Sequence, residues 1–192
     1  MIDKRTEIEP VETDVEINHS SKVLFIGSCF SDAIGSRLSR LKFQSLVNPF
    51  GVVFNPKSIE SLLKFDPIDE SKIVQRDDVF LHYDYHSEIH GYSKEGLIEN
   101  IKHQQSLTKS FLHDATHVFI TLGTSWVFDF NSQTVNNCHK QATTNFERRV
   151  LLVEEVERSL AGTVNRLKSL NPNIEIIFTV SPVRHVKNDV IS

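Results

Sequence analysis

The first clear pattern in the chain is Val23-Leu24-Phe25-Ile26-Gly27, four apolar residues stopped by a glycine. A run this short and apolar, β-branched at Val23 and Ile26, reads as a buried strand over 22–27. The period then changes. Phe30, Ile34, Leu38 and Leu41 recur at helical spacing. Ser31 and Asp32 suit a first turn, and Arg37, Arg40 and Lys42 a last one, so the spacing predicts a core-forming helix from Phe30 with that apolar face inward. Asn48-Pro49-Phe50-Gly51-Val52-Val53-Phe54-Asn55-Pro56 has a proline near each end and a glycine inside, which predicts an ordered loop with a short extended piece. A short helix over 57–64 follows. Residues 79–92, aromatic and histidine-rich, fit strand or loop. Residues 94–113 read as helix, with Leu97, Ile101, Leu107 and Phe111 roughly on one side.

The opening pattern returns at Val118-Phe119-Ile120-Thr121-Leu122-Gly123. A third apolar strand, 174–180, runs into Ser181-Pro182-Val183-Arg184-His185. Between these two strands, 124–148 reads as loop. Residues 154–170 form the clearest amphipathic helix, with Val156, Leu160, Val164 and Leu167 in line, ended by Asn171-Pro172-Asn173. Apolar strands alternating with helices imply the α/β class, a three-layer α/β/α sandwich around a mainly parallel sheet. Right-handed crossovers bring the strand ends to one edge. Ligands of such folds bind beyond the carboxyl ends of the strands. Gly27-Ser28-Cys29, Gly123-Thr124-Ser125 and Ser181 to His185 are therefore expected to line one pocket.

A chain of 192 residues suits one domain, 22–192, preceded by a surface arm, 1–21. The net charge of -4 argues against a nucleic-acid partner, which would call for a basic face. No apolar run is long enough to cross a bilayer, and the polar, acidic start is unlike a signal peptide, so a cytoplasmic location with no membrane partner is expected. Cys29 and Cys138 are the only cysteines. A lone disulfide is open to them, but free thiols are the better reading in that compartment.

Gly27-Ser28-Cys29-Phe30 resembles the signature of the GSCFA family, with Ser31 in place of the final alanine. Asn48-Pro49-Phe50-Gly51, Asp84-Tyr85-His86-Ser87, Thr121-Leu122-Gly123-Thr124-Ser125-Trp126, Asn137-Cys138-His139-Lys140 and Ser181-Pro182-Val183-Arg184-His185 also resemble segments of that family, in order, over roughly residues 20–189. The family is similar to the SGNH, or GDSL-type, hydrolases, α/β/α proteins that cleave esters. With the glycines matched, the nucleophile of their first block falls on Cys29. The oxyanion glycine of the second block falls near Gly51, and the third block on Gly123-Thr124-Ser125, with Ser125 replacing asparagine. Asn48, His86 and Arg184 then join Gly27, Gly51, Gly123 and Ser125 as expected oxyanion or substrate-binding residues. The SGNH pattern closes with Asp-x-x-His after the last strand, and no such segment follows a strand here. The resemblance therefore implies either a chain truncated before that block, the simpler reading, or a base supplied by His185 or His139.

Acyl transfer needs a nucleophile, a base and oxyanion donors. N–H groups at a helix start stabilise a thiolate at Cys29, and those of residues 28–30, with Gly51 and Ser125, are expected oxyanion donors. Ser28 is a rival nucleophile whose side chain could instead cap the helix; Cys29 could simply be a small buried apolar residue. Cys138-His139 is a candidate for the rim of the site. Ser181-Pro182 fits a plain turn, and Arg184 and His185 a substrate carboxylate or a loop contact. Trp126 and Phe128 fit a pocket lining or packing. His82, Asp84, His86 and His90 are zinc-type donors, but no metallohydrolase motif is complete, so neither metal nor cofactor is expected. The expected function is hydrolysis of an acyl or carbohydrate ester of a small molecule. The alternative is an inactive binding or scaffold protein, or a fragment lacking the Asp-x-x-His block.

Overall fold

The computed structural model describes residues 14–181. In chain order the elements are β1 (Lys22–Gly27), α1 (Cys29–Arg40), β2 (Gln44–Val47), α2 (Pro56–Lys64), β3 (Ile73–Arg76), β4 (Val79–His82), α3 (Lys94–Asp114), β5 (His117–Leu122), β6 (Trp126–Phe130), β7 (Gln133–Val135), β8 (Glu147–Val150), α4 (Val153–Leu170) and β9 (Glu175–Val180). The central sheet is parallel, in the order β2-β1-β5-β9. The three apolar runs form β1, β5 and β9. The edge strand β2 was not expected, because Gln44 and Ser45 interrupt its apolar pattern.

Side-chain alternation divides the sheet into two buried faces. Leu24, Ile26, Val118 and Ile120 point to one face and share a core with Leu62 and Leu63 of α2, Leu97, Ile101 and Leu112 of α3, and Leu167 of α4. Phe25 and Phe119 point to the other, their rings stacked with centroids 5.1 Å apart, and α1 lies on that side. The result is an α/β/α sandwich.

Helix α1 forms where its period predicts but rolled away from its expected face. Phe30 and Leu41 are 53% and 56% exposed and Ile34 is also exposed, whereas Ser31 and Gly35 are buried. The cause is close approach. A methyl group on Gly35 would lie 2.6 Å from Val47 Cγ2 and 3.1 Å from Phe25 Cδ2, so only small residues fit the inner face. A smaller roll occurs in α3, whose buried line is Leu97, Ile101, Thr108 and Leu112, with Leu107 exposed. In α4 the buried line is Ser159, Thr163 and Leu167, flanked by the half-buried Val156, Leu160 and Val164.

Residues 73–82 form the β3–β4 hairpin. The stretch read as loop, 124–148, contains most of an antiparallel sheet ordered β7-β6-β8. Its buried face carries Val127 and then Asp129, so the usual apolar alternation breaks after one residue. Asp129 is held there by Thr134 Oγ1 at 2.6 Å and Arg149 Nε at 2.7 Å. Arg149 also donates to both carboxylate oxygens of Glu155, at 2.8 and 3.0 Å, in the first turn of α4. The Arg149 guanidinium and the Leu152 N–H hold the Glu155 carboxyl down at about 2. One fork thus fastens the small sheet to the helical layer.

Two substitutions test the roll of α1. Gly35→Val should destabilise the protein by about 1–3 kcal/mol through overpacking against β2. Leu41→Gln, which removes a larger apolar group, should change stability by no more than about 0.5 kcal/mol. Chemical denaturation of the two variants checks the order.

Candidate active site at the strand ends

The site is built by lacing one loop to two strand ends. Gly27 has φ 139°, a conformation L side chains rarely adopt, and a Cβ there would collide with the Thr121 carbonyl oxygen and lie 2.8 Å from the Thr121 nitrogen. Strand β1 can therefore press its last residue on β5. The Ser28 N–H donates to the Thr121 carbonyl at 3.1 Å. The Gly27 N–H donates to Asn48 Oδ1 at 2.9 Å, and the Gly27 carbonyl accepts from the Val53 N–H at 2.9 Å. Further along the loop, the Phe54 carbonyl accepts from the N–H groups of Gly123 and Thr124, at 2.8 and 3.1 Å. Gly27 and Ser28, residues 48–54, and Gly123 and Thr124 are thereby brought together; two of the three expected strand ends meet through this loop, and residues 182–185 of the third lie outside the described residues.

Ser28 and Cys29 occupy different environments. Ser28 is buried and caps α1, its Oγ accepting from the Phe30 N–H at 3.4 Å. Cys29 is the first residue of α1, exposed, with a free thiol. The first N–H groups of a helix lack intrahelical partners. Of the N–H groups of residues 28–30 expected as oxyanion donors, that of Ser28 is spent on Thr121 and that of Phe30 on the cap, which leaves that of Cys29. Gly51 N–H donates to the Asn48 carbonyl at 2.7 Å, so it too serves the loop. Ser125 is exposed, and its carbonyl accepts from the Leu151 N–H at 2.9 Å. Asn48 is buried, and its Nδ2 has no partner among the described residues.

Three of the candidate histidines do different work. His139 is buried and its Nε2 donates to the His82 carbonyl at 2.9 Å; burial pulls its imidazole below the ordinary value. It joins a loop to β4, and the half-buried Cys138 thiol beside it is pushed up by burial. His82 is equally committed: Nε2 donates to the Asp69 carbonyl at 3.0 Å, and Nδ1 accepts from the Asp84 N–H at 3.1 Å. Burial lowers its imidazole, with Asp84 opposing. Asp84 pairs with Lys72 at 3.0 Å. Among the described residues, no group of three His, Cys, Asp or Glu side chains converges as a metal would require. His86 alone lies on the strand-end loop. Gly51, at φ 76°, leaves space for it: a Cβ there would sit 2.7 Å from His86 Cγ. Ser181 N–H adds a rung to Leu122 at 2.8 Å. Arg184 and His185 lie outside the described residues.

Of the two readings of Trp126 and Phe128, the structure gives the pocket lining: a groove beside Gly123 is lined by them with Phe54, Val135 and Arg148, among others. The remaining lining residues carry no sequence signal for it. One feature escaped sequence reasoning altogether, a row of hydroxyls: Ser31 Oγ lies 2.8 Å from Thr121 Oγ1, which lies 2.9 Å from Thr179 Oγ1.

The model of the GSCFA family matches residues 22–192. The chain belongs to the GSCFA family. No curated protein and no solved structure matches it. In this GSCFA chain the signature spans the β1–α1 junction, with the serine as cap and the cysteine at the first helical position. Ser31, standing where the signature has alanine, is buried, and its Oγ also reaches the Ile26 carbonyl at 3.2 Å. Among the described residues no helix is long and apolar enough to cross a membrane.

The buried histidines set a pH dependence. Both His82 and His139 lie below the ordinary 6.5 in the folded chain. As pH falls through that value the unfolded chain takes up protons that the folded chain refuses, so stability drops. Denaturation midpoints should hold above about pH 7 and decline towards about pH 5. His139→Gln should flatten the decline even though it lowers the plateau.

Proposed function

We propose that the protein hydrolyses acyl or carbohydrate esters of small molecules at the strand-end site, in the manner of the SGNH-type hydrolases, with Cys29 as nucleophile. The observation that carries the reading is the division of labour at the β1–α1 turn. Ser28 is buried in a capping bond, while the Cys29 thiol stands exposed at the first helical position. The partial positive charge of the helix start favours a thiolate there. The thiolate adds to the ester carbonyl, the oxyanion takes the Cys29 N–H, and the alcohol leaves with a proton. Water then hydrolyses the thioester.

The base is a histidine: His86, seated on Gly51, is the candidate among the described residues, and His185, shortly after β9 in sequence, is the candidate outside them. Free thiols at Cys29 and Cys138 suit a reducing, cytoplasmic setting.

A second reading, a binding protein that keeps the architecture without turnover, draws on the commitment of the Gly51 N–H and of His139 to structural bonds. A panel of nitrophenyl acyl esters separates the two. Under the hydrolase reading, Cys29→Ala lowers kcat/KM by at least about 10³-fold, and mass spectrometry of the quenched parent finds an acyl group on Cys29. Ser28→Ala should retain turnover and lose about 1 kcal/mol of stability with its cap. Undiminished turnover in Cys29→Ala refutes the nucleophile, and saturable binding with no acylation supports the binding protein.

A further inference from the structure

The groove beside Gly123 has an aromatic lining, where other concavities among the described residues are lined mainly by polar and charged side chains. Its walls are Phe54, Trp126 and Phe128, its floor the buried Val135, and Arg148 lies at its edge. Phe54 and Phe128 are 40% and 37% exposed. Two exposed aromatic side chains and a half-buried third around one concavity call for an occupant. The backbone that carries the walls is held before any ligand arrives. The Phe54 carbonyl accepts from both Gly123 and Thr124. The Trp126 backbone N–H donates to Thr124 Oγ1 at 3.0 Å. The Arg148 guanidinium stacks on the Trp126 ring, 4.0 Å from its centroid.

The groove adjoins the candidate active site through Phe54 and Thr124, which line it and are bonded to each other. Phe54 Cδ1 and Ser28 Cβ both lie within 3.5 Å of the point where Gly123 would carry a Cβ. A group in the groove therefore touches a side chain, Phe54, that borders the same glycine as Ser28. The volume, about 280 Å³, is at the small end for ligand pockets, enough for one substituent and not a whole large substrate.

We propose that this groove is the specificity subsite for an uncharged aromatic ring carried by the substrate, one that packs against Trp126 and Phe128. The inference rests on the hydrolase reading for its role in turnover, but occupancy of the groove does not require turnover. Ring pairs in offset or edge contact bind more tightly than area burial alone gives, by a factor of about two to ten, so a phenyl group is preferred over a saturated ring of the same size. Aryl-bearing esters should accordingly show a lower KM than their cyclohexyl counterparts.

Trp126 is the only tryptophan in the chain, so ¹⁵N-labelled protein gives a single indole N–H resonance located in the groove. The Cys29→Ala protein is titrated with benzamide and with cyclohexanecarboxamide. The expected result is a saturable shift of that resonance with benzamide, with a Kd about two- to tenfold lower than for the saturated analogue. Phe128→Ala, and separately Phe54→Leu should the first fold poorly, should weaken benzamide by a similar factor. An unmoved resonance, equal affinity for the two amides, or unchanged affinity in the folded variants overturns the subsite. Because the titration uses a protein without the Cys29 thiol, loss of the nucleophile assignment leaves this result standing, and the reverse also holds.

Discussion

The backbone contact between Gly27 and Thr121 governs the carboxyl edge of the sheet. Without a side chain, Gly27 lets the end of β1 touch β5, and its φ of 139° turns the chain directly into α1. Its N–H and carbonyl then fasten to Asn48 and Val53, so the loop after β2 is positioned by the same residue. Any Cβ at position 27 would move β1, β5, the loop and the helix start together. The exposure of Cys29, the burial of Ser28 and the placement of Phe54 against Gly123 all follow from that one close approach.

Strands β1 and β5 are legible in the sequence because strands buried on both faces have no room for alternation and become continuous apolar runs, and β9 is equally legible as an apolar run although it lies at the sheet edge with no buried residue. Helix α1 is legible as a helix and misleading as to its face. The period locates the helix, but the inner side is chosen by how near α1 lies to Phe25 and Val47, and at that distance Gly35 fits where Ile34 cannot. Strand β2 is short and half polar, and the β6–β8 sheet carries an inward Asp129 whose partner Arg149 is remote in sequence; neither has a local signal. The two residues of the Ser-Cys pair are separable only once the cap is seen. The polar Cys138-His139 segment likewise suggests a place on the rim of the site, whereas the fold spends the His139 imidazole on the His82 carbonyl.

The small antiparallel sheet shows how a polar contact can supplement a core. With Asp129 next to Val127 on the inward face, apolar packing there is limited to one buried side chain, and a bidentate guanidinium adds the attachment. Arg149 is suited to this because its planar donors satisfy two carboxylates on different elements at once. The attachment is directional, which fixes the orientation of β6. It therefore also fixes the outward face that carries Trp126 and Phe128.

The row of hydroxyls joins β9, β5 and α1 through one shared acceptor. Each hydroxyl owns a single hydrogen. Thr179 gives its own to Thr121, and Ser31 divides its own between Thr121 and the Ile26 carbonyl. The Thr121 oxygen thus receives one donor from a neighbouring strand and one from the helix that follows β1. The central threonine is consequently the least replaceable member. A valine there keeps the shape, yet leaves the Thr179 hydroxyl without its acceptor and Ser31 with the Ile26 carbonyl alone.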